Sequence, residues 1–232
     1  MPRLARVVVP GIPHHVTQRG NRRMHTFLRE ADYRVYLDLM AQWCGERGVD
    51  IWAYCVMPNH VHMIAAPATE QSLRLGIGEA HRRYSRHVNF REGWRGHLWQ
   101  GRFASFPMDD AHLYAATRYV ELNPLRAKLV STPAAYAWSS ARAHMTGRDD
   151  VLVKVQPLLD RFGDWAALLS SGVSEQDTER LRSHERTGRP LGSPAFVDRL
   201  ERLLRRALRP RKRGPKPKTQ RAGATGTGKE GN

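Results

Sequence analysis

Cysteine is scarce in this chain: Cys44 and Cys55 are the only two among 232 residues. That is too few for a structural zinc site or a disulfide framework, and both lie in apolar surroundings, so they read as small buried hydrophobes. Long hydrophobic runs are also missing. Nothing approaches the ~18 consecutive apolar residues of a membrane-spanning helix. The Val7-Val8-Val9 run is too short for a signal-peptide core and no small-residue cleavage site follows it, which makes a cytoplasmic address the expectation. There is no internal repeat and no phosphate-cradling Gly-rich loop of the Walker type. Acidic residues are outnumbered, 22 against 38 Lys+Arg.

That imbalance gives a net charge of +16 and a pI of about 10.8. Phosphate neutralisation is the usual reason for so much positive charge. Residues 1–147 carry 19 basic against 11 acidic side chains, residues 148–208 carry 11 against 10, and residues 209–232 carry 8 against 1. The last stretch is rich in Pro, Gly, Lys and Arg and holds no large apolar residue. It cannot bury enough surface to offset its ordering entropy and is expected to be disordered. Three units are therefore expected: 1–147, a helical C-terminal extension over 148–208, and a basic tail over 209–232.

The remainder reads as mixed α and β. A strand is expected at His14–Arg19, ended by Gly20-Asn21. Residues 31–46 place Tyr33, Tyr36, Met40 and Trp43 at helical spacing. Residues 49–56 alternate as a strand, with Ile51, Ala53 and Cys55 on one side and Trp52, Tyr54 and Val56 on the other. Pro58 breaks that strand, and 60–66 form the next. A helix is expected over 70–89, a strand over 102–108, and a helix from Asp109/Asp110 to about Asn123, where Pro124 disfavours continuation. Short helices follow over 151–187. Ser193-Pro194 then cap an amphipathic helix bearing Phe196, Leu200, Leu203, Leu204 and Leu208. The order β-α-β-β-α-β-α implies an α+β fold: a ferredoxin-like antiparallel sheet with helices mainly on one face.

Two local patterns carry chemistry. In Pro58-Asn59-His60-Val61-His62-Met63-Ile64, His60 and His62 share one face of a strand. Two adjacent neutral imidazoles suit two neighbouring positions on one metal ion. By itself the pair reads first as two surface histidines. In the helix around Arg118-Tyr119-Val120-Glu121-Leu122-Asn123-Pro124, Tyr119 and Asn123 share a face, with His112 on roughly the same side. Alone, this reads first as an ordinary amphipathic helix with a half-buried tyrosine and an Asn that stops it. Tyr114 faces away from Tyr119 and is expected to pack.

Together with Trp99-Gln-Gly-Arg-Phe, Tyr136-Ala-Trp-Ser-Ser and Thr187-Gly-Arg-Pro-Leu-Gly-Ser, these segments resemble the REP-associated tyrosine transposases, single-tyrosine HUH enzymes related to the IS200-like transposases. The resemblance runs from about residue 5 to about residue 213. It implies that Tyr119 is the nucleophile, that His60, His62 and Asn123 hold Mg²⁺ or Mn²⁺, and that single-stranded DNA carrying a REP-like hairpin is cut and rejoined through a 5′-phosphotyrosine. It leaves open a monomer or a homodimer. Phosphate contacts are expected from Arg22, Arg23, Arg82, Arg83, Arg86, Arg102, Arg211, Lys212 and Arg213, and base stacking from Trp94 and Trp99. Two other readings remain: a non-catalytic nucleic-acid binder on a ferredoxin-like scaffold, and a replication-initiator or relaxase-like nickase. The tail yields a first prediction. Truncation after Arg209 should weaken DNA binding and flatten its log–log salt slope, which each lost contact changes by about 0.7–0.9, while cleavage survives. An unchanged slope in a salt titration would remove the tail from the interface.

Overall fold

The computed structural model describes residues 6–210. Four strands form its sheet: β1 (His14–Arg19), β2 (Val49–Met57), β3 (His60–Pro67) and β4 (Ala104–Pro107). Their order is β2-β3-β1-β4 and every pairing is antiparallel. Two long helices connect them: α1 (Glu30–Glu46) between β1 and β2, and α3 (Ile77–Glu92), preceded by the one-turn α2 (Ser72–Leu75), between β3 and β4. This is the expected α+β antiparallel sheet, but helices cover both of its faces and not mainly one. The helix expected over 70–89 is broken at Gly76. A Cβ there would lie 3.1 Å from the Trp43 carbonyl oxygen and 3.2 Å from Val49, so a larger residue would force α1 and its neighbours to give by a few tenths of an ångström.

The rest of the chain is helical: α4 (Asp110–Glu121), α5 (Asn123–Arg126), α6 (Ala141–Thr146), α7 (Gln156–Phe162), α8 (Trp165–Ser170), α9 (Glu175–Thr187) and α10 (Pro194–Leu204). Asp109 caps α4 by accepting the His112 N–H at 3.1 Å, and Ser193 caps α10 by accepting the Phe196 N–H at 3.2 Å. The helix expected to run to Asn123 stops at Glu121; Asn123 and Pro124 instead open α5. α10 ends at Leu204 because Arg205 is left-handed, with φ 46°. Leu208 is therefore not on the helix face. It folds back beside Val7, Val9, Phe196 and Leu200 in a small core. Arg209 pairs with Glu201 at 2.7 Å, so ordered contacts continue past the expected boundary, while Arg211, Lys212 and Arg213 lie outside the described residues. Among the described residues no helix is long and apolar enough to cross a membrane.

The sheet separates two cores. Val16, Tyr54, Val56, Val61, Met63 and Ala65 pack under α1 and α3. Ala53, Cys55, Met57, Ile64 and Phe106 pack under α4, together with Trp165, Leu168, Leu169 and Leu181 of α8 and α9. The two long connecting helices thus share one face, and the tyrosine helix with the C-terminal segments closes the other. The alternation expected for β2 fails at one point. The register shifts between Ile51 and Ala53, and this bulge sends Ile51 to the α1 core and Trp52 to the α4 core. Both cysteines are free and buried, as their surroundings imply.

A buried carboxylate ties the second core together. Glu121, fully buried, accepts from Ser140 Oγ at 2.6 Å, faces His144 Nδ1 at 2.7 Å, and accepts from Trp165 Nε1 at 2.8 Å. One side chain of α4 is thereby joined to α6 and α8.

Candidate active site and nucleic-acid interface

His60 opens β3 and His62 follows two residues later, so the strand period places both on the α4 side of the sheet. Their ring centroids are 5.0 Å apart, and the Tyr119 ring stands edge-on to His62 at 5.2 Å. Tyr119 is 5% exposed. The histidine pair and the phenol therefore meet within one chain. Arg126 lies over the Tyr119 ring at 5.0 Å, and Arg19, the end of β1, is paired in register with His60. Both place positive charge near His62.

Two further groups that the sequence reading missed also enter the site. His15 on β1 stacks on His62, with ring centroids 5.3 Å apart and planes 5° from parallel, and its Nε2 is 3.3 Å from His62 Nδ1. Glu185 on α9 places Oε1 3.8 Å from His15 Nδ1 and 3.8 Å from His62 Nδ1. The His14-His15 doublet on a strand was a visible signal. Glu185, on a polar helix far along the chain, carried none.

Burial sets the protonation of these groups. It lowers His15 from 6.5 to about 3 and drives His62 well below its ordinary value. Burial, helped by Arg19, lowers His60 to about 4. Burial also pushes Glu185 up to about 7, against the pull of Arg19. The imidazoles are thus neutral at pH 7, the form that ligates a metal. His60 Nδ1 contacts Asn59 Oδ1 at 2.6 Å. With the proton on that nitrogen, Nε2 keeps its lone pair for a ligand, the usual arrangement behind a metal-bound histidine. The residues present therefore fit a divalent cation. Asn123 is half-buried at the start of α5, displaced from the helical continuation of Tyr119, and no hydrogen bond or ring contact joins it to the histidines. Tyr114 packs against Phe162 and under Arg118, as expected. His112 is held by Asp109 at 2.6 Å.

The expected DNA contacts divide between two places. Arg82, Arg83, Arg86, Arg102 and Trp94 line a groove of about 1070 Å³ between α3 and the 93–103 loop, with Arg6 and Arg74 completing it and no carboxylate in its lining. Arg82 and Arg83 also pair with Glu79, at 2.6 and 2.9 Å. Trp99 is a correction. It is 6% exposed, donates its indole N–H to the His81 carbonyl at 3.3 Å, and packs with Phe27, Tyr36 and Tyr84, so no base can stack on it. Phe90, on α3 at the groove, is 92% exposed and was overlooked. Arg22 and Arg23 lie elsewhere, on an exposed turn whose Arg23 carbonyl accepts from Asn59 Nδ2 at 3.1 Å, beside the histidine pair.

Comparisons with known proteins give a family and a fold likeness. Residues 9–123 match the family described as IS200-like transposases. Among solved structures, the chain is similar to a REP-associated tyrosine transposase bound to a REP hairpin, with TM-score 0.52 and 19% identity over 67% of this chain and 93% of that one. At that identity the likeness is one of fold. A candidate transposase from Deinococcus radiodurans R1 matches with TM-score 0.36 and 20% identity over 52% of this chain and 96% of that one. No curated protein matches.

The buried imidazoles give a pH prediction. Burial takes His14 to about 4 and His15 and His81 to about 3. The unfolded chain binds these protons near pH 6.5 and the folded chain does not, so stability is full above pH 6.5 and falls as pH drops towards 4. Each imidazole costs about 1.4 kcal/mol per pH unit in that window. Glu185, raised to about 7, acts in the opposite sense between pH 7 and 4.5 and offsets roughly one of them. Urea unfolding at pH 5 should therefore show a stability several kcal/mol below that at pH 7.5. A flat profile would mean that these rings are not buried and neutral.

Proposed function

The chain belongs to the IS200-like transposase family, and on that premise we propose that it cuts and rejoins single-stranded, hairpin-bearing DNA with Tyr119 as nucleophile. The observation that carries this reading is the meeting of His60, His62 and Tyr119 in one chain, at ring separations of 5.0 and 5.2 Å. The phenol oxygen attacks a backbone phosphorus, the bond to the 3′ oxygen breaks, and the phenolic proton ends on the released 3′-hydroxyl. A 5′-phosphotyrosine remains. A 3′-hydroxyl attacking that linkage restores a phosphodiester and returns the phenol. The phosphodiester energy is kept in the covalent bond, which agrees with the absence of a Walker loop.

A free phenol ionises at about 10, so the site has to favour the anion as it forms. Arg126 over the ring and Arg19 beside the histidines supply the cationic surroundings for phenolate and phosphate. Mg²⁺ or Mn²⁺, held by His60 and His62 with Asn123 as a third donor, would polarise the phosphate when bound. The low exposure of Tyr119 limits competing water.

We place the chain in the REP-associated branch and assign the Arg-lined groove to hairpin DNA, with Trp94 as the stacking side chain. The structural neighbour is bound to a REP hairpin, and the groove here has the charge for that ligand. In this reading residues 1–147 carry out the chemistry, 148–208 close the site, and 209–232 add phosphate contacts.

Incubation with hairpin oligonucleotides and Mg²⁺ or Mn²⁺ should give a covalent protein–DNA band on a denaturing gel, and Tyr119→Phe should abolish it. Mixing Tyr119→Phe with His62→Ala should not restore the band, because both groups come from the same chain. A band that persists in Tyr119→Phe moves the nucleophile, and a gel shift without any adduct leaves only a nucleic-acid binder. For the groove, Arg86→Ala with Arg102→Ala should weaken hairpin binding and reduce the salt slope by about 1.4–1.8, two contacts' worth. An unaltered slope would place the hairpin elsewhere.

A further inference from the structure

We propose that His15, His62 and Glu185 form a divalent-cation site of their own, an alternative to the His60–His62 pair because a neutral His62 imidazole has one lone pair to give, with its carboxylate taken from α9. The proposal rests on the transposase reading only for the role of His62.

One ligand atom from each of the three residues lies within 4.8 Å of the others. Glu185 Oε1 is 3.8 Å from the Nδ1 of both histidines, and the two rings are stacked and nearly parallel, with His62 Nδ1 also 3.3 Å from His15 Nε2. Two of these atoms have no partner. His15 Nδ1 and Glu185 Oε1 are both buried and make no hydrogen bond, and the His15 side chain is fully buried. A buried carboxylate oxygen and a buried ring nitrogen left unsatisfied are costly. A direct bond between them would require 3.8 Å to close by nearly an ångström, whereas an ion with ligand bonds of about 2.0–2.2 Å spans a gap of this size with small side-chain movements. Two imidazoles and one carboxylate are a familiar catalytic donor set that leaves further positions free for water or a phosphate oxygen.

The three donors come from β1, β3 and α9, so one ion would join the central strands to the C-terminal segment. Arg118, on the tyrosine helix, already reaches that segment, bonding Ser171 at 2.8 Å and facing Asp177 of α9 at 3.8 Å. A cation at Glu185 would fix the same helix against the sheet beside Tyr119.

The test is Mn²⁺ binding to the full chain without DNA, followed by electron paramagnetic resonance, with Glu185→Gln, His15→Gln and His60→Gln compared with the parent. Glu185→Gln and His15→Gln should each weaken binding of an ion by roughly tenfold or more, and His60→Gln should still bind one. As a check that needs no substitution, Zn²⁺ added to the ¹⁵N-labelled parent should shift a His15 ring nitrogen to its metal-bound position. If Glu185→Gln and His15→Gln bind Mn²⁺ as the parent does, or if the His15 nitrogens stay put while those of His60 and His62 move, the site is overturned. The tyrosine chemistry would survive that result, because it is read separately from the covalent band.

Discussion

β3 is hydrogen-bonded on both sides, to β2 and to β1, and that double pairing fixes which way each of its residues points. Val61, Met63 and Ala65 fill the core under α1 and α3, so His60 and His62 are held on the opposite face. A one-residue slip would exchange the two sets, burying imidazoles among the aliphatic side chains under α1 and α3 and moving three residues of that core to the α4 face. The apolar packing of one face thus holds the histidine pair on the other, and the register needs no contribution from the imidazoles themselves.

On the far side of the site the constraint is polar. Glu121 joins α4 to α6 and α8 through three contacts to groups with almost no solvent around them. An acidic side chain in such a place is tolerated only when its oxygens are occupied by hydrogen-bond partners. It lies two residues from Tyr119 on the same helix, so the rotation of that helix, and with it the direction of the phenol, is set by residues from the C-terminal half. The site is therefore closed from two directions by different forces: hydrophobic packing sets the histidines, and a buried hydrogen-bonded carboxylate sets the tyrosine helix.

Elements whose side-chain period was unbroken were legible in the sequence. His14–Arg19 has the same bounds in the structure, and the Ser193 cap is where Ser-Pro placed it. His60 and His62 were legible because strand parity alone brings them together, and Tyr119 because its surrounding motif resembles a known one. What escaped depended on partners distant in sequence. His15 joins the site only because β1 lies next to β3, and strand order is not written in local pattern. Glu185 joins it because α9 packs across the sheet. The β2 bulge reversed Ile51 and Trp52 without any glycine or proline to announce it, and Trp99 looked like a surface aromatic until Gly20 paired with it and drew its loop into the core.

Both borders of the sheet are taken up by the chain itself. Beyond β2, the carbonyl of Trp138 accepts from Val56 at 2.8 Å and Lys154 donates to Ile51 at 2.8 Å; beyond β4, Leu191 donates to Pro107 at 2.9 Å and accepts from Asp109 at 3.2 Å. Main-chain groups that would otherwise recruit a neighbouring strand are already engaged at these points. Newly made or crowded molecules thus have little opportunity to zip together edge to edge, a safeguard against aggregation at the borders of the sheet.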